Sequence, residues 1–111
     1  MDEKIIVANV SPKSPSAEAY RVLRTNIQFA NIDKTIRSIA VTSSLPGEGK
    51  STVIVNLAAT MAQNNKKVLL VDTDLRKPNL HTFFELENSK GITNVLSENI
   101  DCITVIRHTD I

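Results

Sequence analysis

A loop containing two glycines, placed between an apolar run and an amphipathic segment, constrains the fold of this 111-residue chain most strongly. Residues 36–42 are rich in β-branched side chains and become apolar in their second half, which predicts a strand, and residues 51–64 carry apolar side chains at helical spacing. Gly47 and Gly49 allow the backbone between them to turn sharply. Amides of such a turn, together with the N-terminus of the next helix, bind anions. The sequence therefore predicts a strand, a phosphate-binding loop and a helix.

The loop at residues 44–52 also carries side chains suited to binding a nucleoside triphosphate. The pattern for such loops is Gly-x-x-x-x-Gly-Lys-[Ser/Thr], and Ser44 stands here at the first glycine position. Lys50 is placed to reach the terminal phosphates, and the Ser51 hydroxyl is placed to ligate Mg²⁺. The predicted phosphate-binding residues are Pro46, Gly47, Glu48, Gly49, Lys50, Ser51 and Thr52. The alternative is a plain glycine turn before a surface helix, whereas a dinucleotide-binding loop would need glycine at Thr52.

A second apolar run, residues 67–72, ends in an acidic segment. Two strands about 30 residues apart with a helix between them predict a right-handed βαβ unit in a parallel sheet. Ligands of such sheets bind at the carboxyl edge, where Asp72 and Asp74 would face the same side because side chains alternate along an extended chain. We predict that both carboxylates serve the Mg²⁺–phosphate site, one of them as a base, and that Arg76 stabilises phosphate charge. The alternative is a strand-end cap followed by a solvated turn.

The remaining elements are predicted from local patterns. Ser14 followed by Pro15 indicates a helix start, and Tyr20, Leu23, Ile27 and Ala30 then fall on one helical face. On the next helix the expected apolar face is Val53, Leu57, Ala58 and Met61. The weaker predictions are an edge strand or ordered tail at 5–7, a left-handed helix end at 64–65, a short helix at 79–87, a helical turn at 93–97 and a third core strand at 103–106.

Composition excludes several classes of protein. With 13 Lys and Arg against 12 Asp and Glu, the net charge is +1, so bulk electrostatics give no support for binding nucleic acid. No apolar run approaches the roughly 18 residues of a membrane span. A single cysteine, Cys102, cannot form an internal disulfide, and the N-terminus lacks an export signal. We therefore expect a cytoplasmic protein with no direct membrane span.

Three motifs together resemble the bacterial tyrosine kinase (BY-kinase) family of capsular and exopolysaccharide biosynthesis. Residues 44–52 resemble its Walker A motif, and residues 68–78 resemble its Walker A′ motif. A third motif, Glu18-x-x-Arg21-x-x-Arg24, is similar to the helix by which these kinases assemble into rings. The resemblance implies an α/β P-loop NTPase of the SIMIBI/MinD-like type, with three α/β/α layers and a mostly parallel sheet.

The same resemblance implies an ATP-dependent protein-tyrosine autokinase that regulates polysaccharide export. Lys50 would contact ATP phosphates, Ser51 and Asp72 would hold Mg²⁺ with support from Asp74, and Asp72 would also be the candidate base. Subunit contacts would come from residues Glu18, Arg21 and Arg24. The implied partners are a transmembrane polysaccharide co-polymerase that activates the kinase, further copies in a ring, and tyrosine-containing protein substrates. Such an activator would recruit the chain to the inner face of the plasma membrane.

The chain departs from the family pattern in extent. Members run to roughly twice this length and carry a Walker B aspartate and a C-terminal tyrosine cluster. We therefore expect an N-terminal extension at 1–15 and, at 16–111, the N-terminal half of a kinase domain that stops after about the third core strand. Its ring helix would be 16–30. Two alternatives are a ParA/MinD-type ATPase switch, which would carry lysine at the position of Leu45, and a non-catalytic fragment that only oligomerises with full-length kinase.

Overall fold

The computed structural model describes residues 5–30 and 33–111, and α-helices are its regular elements. The helices are α1 (Val7–Val10), α2 (Pro15–Ala30), α3 (Lys50–Gln63), α4 (Leu80–Phe83) and α5 (Ile92–Glu98), with a 3-10 helix at Cys102–Thr104. The helices α1, α2 and α4 all pack against α3. The helix that follows the glycine loop is therefore central to the packing.

Local sequence sets the ends of the two long helices. The Ser14 hydroxyl accepts a hydrogen bond from the Ala17 amide at 3.2 Å, and α2 begins at Pro15, as predicted. At its other end, α3 stops at Gln63, and Asn65 takes a left-handed conformation with φ 59°. Asparagine tolerates this conformation better than most residues. Both predictions are confirmed.

The hydrophobic core lies on one side of α3. Ile6, Val55, Ala59 and Leu80 form a buried cluster, and Phe83 and Phe84 of the α4 region pack against it. The predicted apolar face of α3 is largely wrong, because Leu57 is buried whereas Val53, Ala58 and Met61 are only half-buried. This difference arises from tertiary packing, because α1 and α2 cover a neighbouring face of α3. That face also contains two buried polar residues, Asn56 and Thr60.

The two predicted strands at 36–42 and 67–72 are neither helical nor paired as strands within residues 5–30 and 33–111. Val68, Leu69 and Val71 are 41%, 63% and 46% exposed, and they line an open groove of about 980 Å³ beside Asp72. A strand requires a ladder of backbone hydrogen bonds with a neighbour. The parallel sheet therefore stays a prediction.

Two other strand predictions are corrected. Residues 103–106 do not begin a core strand, because the Asp101 carboxylate accepts the Ile103 amide at 3.1 Å and starts the 3-10 helix. Such local side-chain bonds compete with strand formation. Ile103 is accordingly 73% exposed. The edge strand at 5–7 is also wrong, since α1 begins at Val7 and the buried Ile6 anchors it.

The short helices α4 and α5 fall where the sequence predicts helical structure. The helical turn predicted at 93–97 is α5, and the helix predicted within 79–87 is the shorter α4, which ends where Glu85 adopts φ 54°. Among residues 5–30 and 33–111, none of the helices combines the length and the apolar character that a membrane span requires.

Candidate nucleotide-binding site

The glycine loop leads directly into the N-terminus of α3. Gly47 and Gly49 have φ values of 77° and 89°, a region that other L-residues occupy only with strain. Gly49 is also the N-cap residue of α3, and its carbonyl accepts the Val53 amide at 3.0 Å. The first amides of a helix have no acceptor within it. The N-terminus of α3, with its amide donors and the positive end of its helix dipole, therefore lies at the end of the glycine loop.

The loop is braced by its own side chains. The Glu48 carboxylate accepts the Leu45 amide at 2.5 Å, and the Ser43 hydroxyl donates to the Leu45 carbonyl at 2.8 Å. Pro46 and Glu48 are exposed, whereas Thr52 is half-buried in the first turn of α3. The Glu48 carboxylate has the same sign of charge as phosphate, and it already accepts a hydrogen bond from the loop. Glu48 therefore stabilises the conformation of the loop.

The acidic segment reaches the loop through Asn79. The Ser51 hydroxyl donates to the Asn79 side-chain oxygen at 2.8 Å. One carboxylate oxygen of Asp72, Oδ2, accepts the backbone amides of Asn79 at 3.0 Å and Leu80 at 3.1 Å. A single residue, Asn79, thus contacts both Ser51 and Asp72. No sequence motif marks Asn79, and its only local indication is that it is a polar residue following Pro78 at a predicted helix start.

Asp74 accepts backbone hydrogen bonds from the turn that follows it. Its Oδ1 accepts the amides of Lys77 at 3.0 Å and Arg76 at 3.2 Å. These hydrogen bonds, that of Lys77 foremost, and the charges of Lys50 and Lys77 lower the pKa of the Asp74 carboxyl, while partial desolvation acts in the opposite direction. The lowered pKa favours the ionised form of the Asp74 carboxylate. The Arg76 side chain is exposed.

The oxygen donors at this place suit Mg²⁺. The Ser51 hydroxyl uses its proton toward Asn79, which leaves its lone pairs free to bind a cation. An ionised carboxylate has about four lone-pair positions, and Asp72 uses three of them for the amides of Asp74, Asn79 and Leu80. Within the described residues, no group of three or more His, Cys, Asp or Glu side chains is placed to hold a metal. Mg²⁺ bound with a nucleotide needs few protein ligands, since phosphates and water supply the rest.

The three residues of the α2 motif make contacts within the chain. Glu18 and Arg21 form an ion pair at 2.8 Å, and Arg21 also donates to the Pro12 carbonyl at 2.8 Å. Arg24 is half-buried and donates from Nη1 to the Thr60 carbonyl at 3.0 Å, in the last turns of α3. The Glu18 side chain is 63% exposed. The oligomerisation role predicted for these residues stays a prediction.

Comparison with known proteins identifies the family. The model of the ParA family, described as NUBPL iron-transfer P-loop NTPase, matches residues 34–107, which contain the loop and the acidic segment. The chain belongs to this P-loop NTPase family. The predicted P-loop fold is thereby confirmed, because the match spans most of the chain.

Within this family of P-loop NTPases, the chain is similar to bacterial tyrosine kinases. Tyrosine-protein kinase YwqD of Bacillus subtilis (strain 168) is 53% identical over 94 residues, which are 85% of this chain and 40% of YwqD. The crystal structure of the chimerical protein CapA2B2 superposes with a TM-score of 0.91 at 40% identity, over 100% of this chain and 49% of that one. The BceF tyrosine kinase domain gives a TM-score of 0.82 at 39% identity, over 95% and 41% of the two chains.

These similarities confirm the predicted resemblance to bacterial tyrosine kinases. The chain spans less than half of the length of each of these three proteins.

Proposed function

We propose that this chain supplies the ATP-binding part of a bacterial protein-tyrosine kinase that regulates capsular or extracellular polysaccharide biosynthesis and export. The observation that carries the proposal is the contact of Asn79 with both Ser51 and Asp72, which joins the phosphate loop to the acidic segment. The 53% identity to a tyrosine-protein kinase supports the reaction type. The proposal includes a three-layer α/β/α arrangement with a mostly parallel sheet, as the resemblance to bacterial tyrosine kinases implies.

In the proposed reaction, a tyrosine hydroxyl oxygen attacks the γ-phosphorus of ATP and the bond to the β–γ bridging oxygen breaks, so that ADP leaves. Lys50 and the amides of the loop stabilise negative charge on the phosphates. The tyrosine proton passes to a carboxylate. Asp72 is the candidate base, as the resemblance to bacterial tyrosine kinases implies. Asp74 supports the metal site, and Arg76 stabilises charge on the transferred group.

Mg²⁺ would be held by Ser51 and Asp72, with Asp74 supporting that site. When bound, the ion neutralises phosphate charge and orients the γ-phosphoryl group. Ser51 is oriented for this role by its bond to Asn79, and Asp72 by its three amide donors. These residues thus fix the positions of the oxygens before the nucleotide arrives, which lowers the cost of ordering the site.

The proposed partners are a transmembrane polysaccharide co-polymerase as activator, further copies of the kinase, and tyrosine-containing proteins as substrates. Ring formation would use Glu18, Arg21 and Arg24 on α2. Ring formation would require Arg21 to exchange its contact with the Pro12 carbonyl, and Arg24 its contact with the Thr60 carbonyl, for contacts with another subunit. The chain would work in the cytoplasm, at the inner face of the membrane, when bound to its activator.

Binding of ATP tests the proposal directly. Lys50→Ala should lower the affinity for ATP with Mg²⁺ by about 10- to 100-fold, because a charged hydrogen bond to phosphate is worth about 1.5–3 kcal/mol. Lys66→Ala is the matched control, since it removes one exposed lysine charge just beyond the other end of α3. Isothermal titration of the purified chain measures both affinities. Equal affinities in wild type and Lys50→Ala would refute the phosphate-loop role.

A ParA/MinD-type ATPase switch is the second candidate, favoured by the ParA-family match at residues 34–107. Leu45 stands where such switches carry a lysine, which argues for the kinase. Incubation with γ-labelled ATP, Mg²⁺ and a full-length kinase of this family separates the candidates. Labelled phosphotyrosine on the partner, lost with Lys50→Ala, supports a kinase. Release of phosphate alone supports a switch, and inhibition of the partner without either reaction indicates a non-catalytic fragment.

A further inference from the structure

Two polar residues are completely buried on the face of α3 that α1 and α2 cover. Asn56 and Thr60 both have 0% exposure, and with Thr52 they are spaced four residues apart along one side of the helix. Burial of a polar side chain costs free energy unless it is fully hydrogen-bonded. A polar stripe in this position therefore calls for specific partners.

Asn56 bonds the backbone of the N-terminal segment on both sides of Ile6. Its Oδ1 accepts the Val7 amide at 2.6 Å, and its Nδ2 donates to the Ile5 carbonyl at 3.2 Å. Between these two contacts, the side chain of Ile6 enters the core cluster beside Val55. One side-chain amide thus clamps the backbone of residues 5–7 to the middle of α3.

The same amide is also bonded to the first turn of the phosphate-loop helix. The Asn56 Nδ2 donates to the Thr52 carbonyl at 2.8 Å, one residue beyond Ser51. Both Nδ2 hydrogens are therefore used, one on the N-terminal segment and one on the loop end of α3. A shift of residues 5–7 would have to break these bonds or move the Asn56 side chain relative to Thr52.

A second contact continues this stripe to α2. The Thr60 hydroxyl donates to the Asn56 carbonyl at 2.8 Å, and the Thr60 carbonyl accepts from Arg24 at 3.0 Å. The order of contacts is thus Thr52, Asn56, Thr60 and Arg24. It leads from the loop to a residue of the α2 motif.

We propose that Asn56 is a positioning residue that couples the N-terminal segment, residues 5–10, to the phosphate loop. The inference rests on the proposed binding of ATP at that loop. With the clamp closed, Asn56 holds the first turn of α3 in the arrangement that binds phosphate. Since coupling between two sites is reciprocal, bound ATP must in turn stabilise the clamped segment.

The first measurement uses the unaltered chain. Hydrogen exchange of the Val7 amide, which donates to Asn56, is followed with and without ATP and Mg²⁺. We expect saturating ATP to slow this exchange by about tenfold, within the range usual for coupled sites. The Ile103 amide, bonded to Asp101 in an exposed turn, is the internal control and should change by less than about twofold.

The second measurement compares two variants of adjacent residues. Asn56→Leu keeps the branching of the side chain but removes all three bonds, and it should weaken ATP binding by about tenfold. Val55→Ala removes buried core packing without touching those bonds, and its ATP affinity should stay within about twofold of wild type. Titrations are performed at a temperature where circular dichroism shows both variants folded.

The outcomes separate this inference from the proposed function. If wild type binds ATP but the Val7 exchange does not respond, the coupling is refuted and the proposed function stands. Equal losses of affinity in Asn56→Leu and Val55→Ala also overturn it, because Asn56 would then act through stability alone. If wild type binds no ATP, the proposed function fails, and the coupling fails with it.

Discussion

Replacement of Asp72 by alanine is expected to destabilise the fold even without nucleotide. The variant leaves three backbone amides without their acceptor, and the bonds from Asn79 and Leu80 are partly buried. Hydrogen bonds to charged groups contribute about 1.5–3 kcal/mol, so two partly buried bonds at the lower value give about 3 kcal/mol. The bond from the Asp74 amide is exposed and adds little, because water can replace the acceptor.

Urea unfolding of the purified chain, followed by circular dichroism, measures this loss. With a slope of about 1.5 kcal/mol per M, a loss of about 3 kcal/mol lowers the midpoint by about 2 M. Asp101→Ala is the matched control, because the Asp101 carboxylate accepts the Ile103 amide in an exposed turn. This variant should lower the free energy of unfolding by about 0.5 kcal/mol. If Asp72→Ala costs no more than Asp101→Ala, the structural role assigned to the Asp72 carboxylate is wrong.

Three further predictions concern the loop, the acidic segment and the core. Gly49→Ala should cost about 1–2 kcal/mol in urea unfolding, because φ is 89° and the added methyl meets no atom within 4 Å that could offset the strain. The pKa of the Asp74 carboxyl is lowered in the folded state, so its ionised form contributes stability above the ordinary pKa of 3.8. This stability is lost as pH falls through the folded pKa. Acidification from pH 5 to 3 should therefore lower the melting temperature of wild type more than that of Asp74→Asn. Val55→Ala should cost about 2 kcal/mol, since it removes two fully buried methyl groups, and calorimetry should show the lower melting temperature.

Prediction from sequence succeeded where a few neighbouring residues decide the backbone. Ser14 and Pro15 start α2, Asn65 follows the end of α3 in a left-handed conformation, and both loop glycines have positive φ. Each of these features depends on steric limits or hydrogen bonds within about one helical turn. The residue motifs also led to the correct family, because a phosphate loop requires particular residue types at fixed spacing.

Prediction from sequence failed where burial or a competing local hydrogen bond decides which structure a segment adopts. Residues 103–106 have the composition of a strand, but the Asp101 carboxylate starts a 3-10 helix there. On α3, periodicity identified the set containing Val53 and Met61 as the apolar face, whereas the structure buries Asn56 and Thr60. Helical periodicity identifies faces but does not show which neighbouring element will cover them.

The sequence by itself determined the glycine loop, the start of α2, the end of α3 and the family, since each follows from residue types a few positions apart. Tertiary structure alone decided that Asn79, 28 positions beyond Ser51, would join that hydroxyl to Asp72. It also decided that Asn56 would clamp Val7, 49 positions earlier in the chain. Contacts over such distances form only when helices pack, and a buried amide acquires its partners from whichever backbone the packing brings to it.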